Sequence, residues 1–437
     1  MNIQDAINNV KENGGGEVII PAGEHMTGPL ELCSNLILTL EDGAHIKFDT
    51  GPNAYPPVWT RWEGIECWAM HPLVWGNEVA NVIIRGKGMP WKSGDDQKIR
   101  DDARGIIDGQ GDAWWEKFRV IEKIEDRHSP KMDYELRLAE LNPDYKTRPG
   151  GGARPDTQFL RPPLMQFFKS KNITIQGFTL QNSPFWTFHT VYSEDIKILD
   201  MKILNPEDAI NTDAIDIDSS SNVTIENSLL DIGDDAVTLK SGSGEQGLKI
   251  GIPTQDVRVS NCKIFASHGG IAIGSETAGG IANVDVNSCE FEGTQRAIRL
   301  KSRRTRGGVI ENITISNAKM DKCWSAIVLS QYFYPGVLPF EEDFIMSTSA
   351  QELSETTPRI KNVVIENVTA TNLRSSAAFI VGLPEAPIEN VSVKNFQWSL
   401  ADKEELMETC NSEVTNGLFH DDDRGIKIIN AINVSVE

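Results

Sequence analysis

A short pattern returns along most of this chain: Asn or Asp, then three residues of which the first and third are apolar. It stands at Asn81-Val-Ile-Ile, Asn172-Ile-Thr-Ile, Asp195-Ile-Lys-Ile, Asn222-Val-Thr-Ile, Asp256-Val-Arg-Val and Asn283-Val-Asp-Val, and again from Asn312, Asn362, Asn390 and Asn433. From position 172 the starts are separated by 23, 27, 34, 27 and 29 residues, then by 50, which is two units or one unit carrying an insertion. Periods of this size mark solenoids and propellers. β-branched residues alternating with period 2 make each segment a strand. One short strand per unit, rather than four joined by hairpins, favours a coil of parallel strands. Asn and Asp suit the bends because they tolerate left-handed backbone and bond locally. The reading is all-β: a parallel β-helix, taken as a single domain over residues 1–437.

The ends and interruptions fit that reading. Residues 4–13 have a helical pattern and lead through Gly14-Gly15-Gly16 into a strand at 17–21, so residues 1–16 are expected to cap the open end of the coil. Two polar excursions, 87–104 and 118–157, interrupt the strands; within the second, 120–127 and 133–141 read as short amphipathic helices. Excursions of that length in a solenoid lie on one side and often wall a binding face. At 39% hydrophobic and 24% charged residues the chain is too apolar for disorder. Its net charge of −21 argues against a nucleic-acid partner. No apolar run is long enough for a membrane span, and the first residues are not a signal peptide. The expected location is the cytoplasm, or outside the cell with a leader already removed, and the expected state is a monomer. Six scattered cysteines without a C-x-x-C pair read as buried thiols rather than a disulfide frame or metal site.

Four segments between 211 and 302 can be laid under one another: Asn211-Thr-Asp213-Ala-Ile-Asp-Ile-Asp218, Gly233-Asp234-Asp235-Ala-Val-Thr-Leu-Lys240, Ser267-His268-Gly-Gly-Ile-Ala-Ile-Gly-Ser275 and Arg296-Ala-Ile-Arg299-Leu-Lys301-Ser302. In each, a small residue precedes two apolar residues one position apart, a strand with one buried face. Asp216, Thr238, Ala272 and Arg299 then point the other way, as do Asp218, Lys240, Gly274 and Lys301. Asp213 and Asp235 are 22 residues apart, one coil, and hold the same place before their strands. Adjacent rungs are roughly 4.8 Å apart, so these carboxylates are expected to be neighbours, with Asp234 at the bend beside them. Three close carboxylates cannot all ionise cheaply, so one is expected to keep a proton. A protonated acid beside carboxylates that activate water is what glycoside hydrolysis needs. The bland alternative is a calcium site, which the convergence of His268, Arg299 and Lys301 on the same face disfavours. Arg296, Arg299, Lys301, Arg303, Arg304 and Arg306 form the densest basic cluster of an acidic chain; at least Arg299 and Lys301 are expected to meet an acidic ligand. One rung upstream, Trp186 and His189 are placed near the same face, Trp186 for stacking on a sugar or for packing.

Asn211-Thr-Asp213, Gly233-Asp234-Asp235, Ser267-His268-Gly269 and Arg299-Leu-Lys301, in that order, resemble the four signature motifs of the polygalacturonase family of glycoside hydrolases, and most closely its bacterial exo-acting members. The resemblance extends through Gly14-Gly-Gly16, Thr27-Gly-Pro29, Ile107-Asp-Gly-Gln110, Leu160-Arg-Pro-Pro163 and Asn182-Ser-Pro-Phe-Trp186. It implies a right-handed parallel β-helix that hydrolyses α-1,4-linked galacturonate by inversion, with a pectic oligo- or polysaccharide as partner and no metal or other cofactor. By match, Asp234 is the general acid, Asp213 and Asp235 hold the attacking water, and His268 bonds near the acid. Arg299 and Lys301 bind a galacturonate carboxylate, and Tyr332 resembles the family's cleft tyrosine, with Tyr334 as the substitute. Two departures stand out. Ala214 replaces the Gly that usually follows the first motif's Asp, and the chain begins at the helix without the family's extra N-terminal segment. The competing readings are a pectate lyase, a rhamnogalacturonan hydrolase and a non-catalytic glycan-binding β-helix. The lyase would leave the acidic trio without a role, and rhamnogalacturonan hydrolases typically lack the His and Arg-x-Lys motifs.

Overall fold

The computed structural model describes residues 2–122, 132–144, 153–154, 157–407, 412–420 and 424–437. They fall into two compact units, Met1–Asp216 with Asn227–Asp234, and Ile217–Glu226 with Asp235–Glu437. Both are built from parallel strands stacked rung on rung. The site-bearing sheet contains β1 (Leu30–Glu31), β2 (Val74–Asn77), β3 (Met165–Phe168), β4 (Phe188–Val191), β5 (Ile215–Asp218), β6 (Val237–Lys240), β7 (Gly269–Gly274), β8 (Arg296–Lys301), β9 (Ser325–Ser330), β10 (Ser376–Val381) and β11 (Ile426–Ile429). β1 to β4 pair in order in the first unit, and β6 to β11 in the second.

The recurring pattern lies on another parallel sheet. In the second unit its first apolar residues stand in one column, Val223, Val257, Val284, Ile313, Val363, Val391 and Val434. All but Val434 are buried. The Asn or Asp that opens each copy has φ between 55° and 59°, the left-handed bend for which those residues are suited. Their amides bond in series: Asn283 Nδ2 donates to Asp256 Oδ1 (3.0 Å), Asn312 to Asn283 (3.3 Å), Asn362 to Asn312 (3.3 Å), Asn390 to Asn362 (3.0 Å) and Asn433 to Asn390 (3.1 Å). The interval of 50 residues is therefore one coil with an insertion, because Asn362 bonds directly to Asn312.

The capping helix α1 (Ile3–Glu12) starts where expected. Asn2 accepts a bond from the Asp5 amide at 3.2 Å, and Ile3 and Ile7 are buried. Excursion 87–104 includes α2 (Asp96–Arg100) and packs on the same unit through Lys202, whose Nζ donates to Ile99 O (3.1 Å) and Arg100 O (3.0 Å). α3 (Asp112–Glu122) covers only the start of the helix expected at 120–127; the rest of that stretch lies outside the described residues. α4 (Asp133–Leu141) matches its expectation residue for residue. An antiparallel hairpin, Pro57–Trp62 with Ile65–Met70, was not anticipated. Its turn residues Glu63 and Gly64 both have positive φ, the geometry of a tight two-residue hairpin turn. The Glu-Gly pair between two Trp-containing stretches was the available signal. Cys33, Cys67, Cys262, Cys289 and Cys323 are buried thiols outside any disulfide, as expected; Cys410 lies outside the described residues.

Candidate active site

The alignment of the last three segments is the register of the sheet. Thr238, Ala272, Arg299 and Val328 stand in one column across β6 to β9. In the first unit the Thr187 amide donates to Asp213 O at 2.8 Å, so Asp213 sits one rung after Trp186 and Thr187. One carboxylate oxygen from each of Asp213, Asp234 and Asp235 lies within 4.8 Å of the others. Asp213 and Asp234 belong to the same unit, and Asp235 is the next residue in the chain. Asp213 and Asp235 are buried, whereas Asp234 is half-exposed. Gly233 fixes the bend that carries Asp234, since a Cβ there would lie 2.1 Å from Glu207 O.

One expectation about the strands needs correcting. Their outer face is not open: Asp216, Asp218, Thr238, Lys240, Arg299 and Lys301 are all buried. In the second unit the reason is mutual neutralisation. Arg299 Nη1 lies 3.2 Å from Asp235 Oδ1, and Lys301 Nζ bonds Asp235 Oδ2. Gly269 makes room for this, because a Cβ would fall 2.5 Å from Asp235 Oδ1. Burial alone would raise the Asp235 pKa, but Lys301, Arg299 and Lys240 outweigh it and hold the carboxyl well below the usual range. Asp235 is thus an ionised group near neutrality. Phe333 lies beside both cations, its ring centroid 5.5 Å from Arg299 Cζ and 5.1 Å from Lys301 Nζ, within cation–π range.

A second buried pair lies in this unit. Lys240 Nζ stands 3.3 Å from Glu276 Oε2, and both side chains are at least nine-tenths buried. Burial would raise the Glu276 pKa; Lys240, Arg306 and Lys301 instead bring it down to about 2. Glu276 follows the turn after β7, and no pattern in the chain marks it.

Other expected residues fall elsewhere. His268 is exposed, and its carbonyl accepts from the Arg296 amide at 3.2 Å. Trp186 is 2% exposed and lies inside a ring stack: Trp62 on Phe185 at 4.7 Å, Phe185 on Trp186 at 5.0 Å, and His189 edge-on at 4.9 Å. Its packing role prevails because the rings around it leave no face for a sugar. His189 is fully buried, its Nδ1 accepting from Gln166 Nε2 at 2.8 Å, so it does not line an open binding face either. Tyr332 is also fully buried: its hydroxyl donates to Ser347 O at 3.2 Å and its ring meets Phe419 at 5.1 Å. It is a core residue rather than a cleft tyrosine. Tyr334 is partly buried against the same cluster.

Of the remaining basic residues, Arg303 bonds Pro335 O (2.7 Å) and Gly336 O (3.1 Å), while Arg304 grips both oxygens of Glu385 at 2.6 and 2.9 Å. They tie down the segment after β9 and do not face a ligand. Sequence reasoning missed the hairpin's contact with the first motif. Asn211 Nδ2 donates to Glu63 Oε1 at 2.8 Å, and Asn211 Oδ1 accepts from Trp186 Nε1 at 3.2 Å.

A parallel β-helix carrying three clustered carboxylates at the start of successive rungs, one of them held ionised by buried cations, is the architecture of a glycoside hydrolase. Residues 149–416 match the glycosyl hydrolases family 28, and the chain belongs to that family. Its fold is the right-handed parallel β-helix. A probable polygalacturonase from Vitis vinifera is 27% identical over 410 residues, covering 92% of this chain and 71% of that one. An endo-polygalacturonase from Pectobacterium carotovorum is 29% identical over 343 residues, covering 76% and 71%. Among solved structures, a hyperthermoactive exopolygalacturonase from Thermotoga maritima is 29% identical with a TM-score of 0.72, over 91% of this chain and 82% of that one.

Proposed function

We propose that this chain hydrolyses α-1,4-galacturonosidic bonds in polygalacturonate or its oligomers, by inversion, releasing a small product from one chain end. The cluster of Asp213, Asp234 and Asp235 carries the reading. Asp234, the accessible member, is the acid that protonates the departing glycosidic oxygen. Asp235, held ionised by Lys301 and Arg299, and Asp213 beside it hold and deprotonate the attacking water. The exposed His268 serves the acid. Separation alone would argue for retention, since acid and base of inverting glycosidases usually stand roughly 6.5–9.5 Å apart. Inversion rests on the family match and on having three acids, two of which can share one water.

Exo action is supported by the side arms of the first unit. The hairpin reaches Asn211, α3 reaches Asp208 through Arg119 at 2.8 Å, and α4 is followed by Asn142, which bonds Trp68 O of the hairpin at 2.8 Å. Together with the excursion at 87–104 and the described part of 118–157 they are taken to wall one end of the substrate path. Relatives of both modes match at 29% identity, so this choice rests on the arms. Resolving products over time, with proton NMR of the first product, tests both halves. A single small product appearing first as the β-anomer is expected. A broad early ladder of oligomers overturns exo action, and an initial α-anomer overturns inversion.

Arg299 and Lys301 select the uronate while holding Asp235. A charge-assisted bond is worth about 1.5–3 kcal/mol, so Arg299→Gln and Lys301→Met are each expected to lose roughly tenfold to a hundredfold in kcat/KM. If they lower the melting temperature but leave kcat/KM of the folded enzyme unchanged, the two cations serve structure alone.

A further inference from the structure

Arg296 opens β8 in the second unit and is 3% exposed. Its Nη2 meets Glu413 Oε2 at 3.4 Å and its Nη1 meets Gln295 Oε1 at 3.1 Å, while Nε is buried without a hydrogen-bond partner. The guanidinium stands 5.7 Å from the Trp324 ring. Glu413 belongs to a one-turn helix, Ser412–Thr415, and its side chain is 63% exposed. A cavity of about 40 Å3 lies among Arg296, Trp324, Ser325, Ser375, Met407 and Glu413. That space suits a single water, not a sugar.

Arg296 is poorly satisfied for a side chain so buried. A guanidinium prefers two parallel bonds of roughly 2.7–2.9 Å to a carboxylate. Here it has one long contact. A deeply buried cation needs good bonds to offset its desolvation, whereas Glu413, mostly in water, gains little from the pair. The contact is thus easily exchanged for a better carboxylate. Its place on the sheet says which. Arg296 is in register with Gly269, the residue packed against Asp235, and shares its strand with Arg299 and Lys301. A sugar chain passing Asp235 and Arg299 and continuing toward β9 would bring its next acidic residue to Arg296 and the Trp324 ring.

We propose that Arg296 and Trp324 form an additional subsite for an acidic sugar, and that the Glu413 carboxylate fills its anion position until a sufficiently long oligogalacturonate displaces it. Trp324 offers an apolar ring face to the sugar, and Arg296 offers Nε and Nη2 as the paired donors for its carboxylate. Glu413 then acts as a built-in competitor, and only substrates long enough to reach Arg296 encounter it. The proposal rests on the reading of the chain as a galacturonan hydrolase.

The test uses the full chain and its Glu413→Gln and Arg296→Gln variants, with kcat and KM measured on di-, tri- and tetragalacturonate and melting temperatures taken on the same preparations. Removing the competitor is expected to lower KM for the longer oligomers by about two- to fivefold, the worth of a half-exposed ion pair, and to leave the shortest unchanged. Arg296→Gln is expected to raise KM for the longer oligomers about tenfold or more, with kcat little altered. A purely structural clasp predicts lower melting temperatures and no dependence of KM on chain length in either variant, which overturns the subsite. A wild-type chain that neither binds nor cleaves any of the three overturns the hydrolase reading itself.

Discussion

Asp234→Asn is expected to lower kcat by about 10²–10⁴-fold, the usual contribution of a positioned acid or base, while the protein stays folded. The side chain is half-exposed, and the bend that carries it is set by the close contact of Gly233 with Glu207 O. Exchanging one carboxyl oxygen for an amide therefore removes the proton donor without disturbing packing. Asp235→Asn makes the contrasting control. It too should abolish turnover, but it also strips the counter-charge from Arg299 and Lys301, so melting temperature should fall with activity. Comparing the two variants separates a chemical role from an electrostatic one. The acid cluster could instead hold a hard cation. Chelator is expected to leave activity intact; a loss that calcium restores, or an Asp234→Asn protein of near wild-type kcat, would move the cluster out of acid–base chemistry.

The second large effect concerns stability. Removing one partner of a buried ion pair costs about 3–5 kcal/mol, and Glu276→Gln would leave Lys240, Arg306 and Lys301 facing one another with Asp235 as their remaining counter-ion among the groups that set these titrations. The dependence on pH follows from the direction of the shift. Glu276 titrates at about 2 when folded against an ordinary 4.5, so its contribution is present above pH 4.5 and is lost as pH falls toward 2. The gap between those values corresponds to ~3 kcal/mol. Urea titrations at several pH values should therefore show a steep loss of wild-type stability below pH 4.5 and a shallower one for Glu276→Gln, with Asp235 and other carboxylates held low by cations, Asp102 and Glu385 among them, supplying the slope that remains. Parallel curves for the two proteins would mean that Glu276 contributes nothing special.

Periodicity made the coil legible. Each rung must present one Asn or Asp at a left-handed bend and two inward apolar residues, and that demand writes itself into every copy from Asn81 to Asn433. The acids were legible for the same reason, since a residue fixed relative to its strand in sequence is fixed relative to its neighbour in space. What could not be read was which partners the outward side chains choose. Arg299 and Lys301 were expected to meet an acidic ligand; both found Asp235. Trp186 and His189 were placed by their rung and strand face and Tyr332 by resemblance, and neither says what covers a side chain. Rings from the hairpin and its neighbours cover the first, and Phe419 and Ser347 enclose the last. Glu276, Trp324 and Glu413 lie where no repeat governs the chain, and only three-dimensional proximity marks them.

The asparagine stack of the second unit has a direction. Every amide from Asn283 to Asn433 donates to the residue one coil earlier, and the series starts on Asp256, whose Oδ1 accepts. An acid at this place, as at Asp256, accepts from the coil after it and ends the run of donors there, although Asn222 stands one coil before it. The stack thus works as a reading frame. A newly acquired coil fits wherever its bend brings an Asn, and residues may be added on the far side without cost to the count, as the long interval before Asn362 illustrates. Site loops can therefore diverge freely while the rungs beneath them keep step, and a lineage can rebuild what this scaffold binds without renegotiating how it folds.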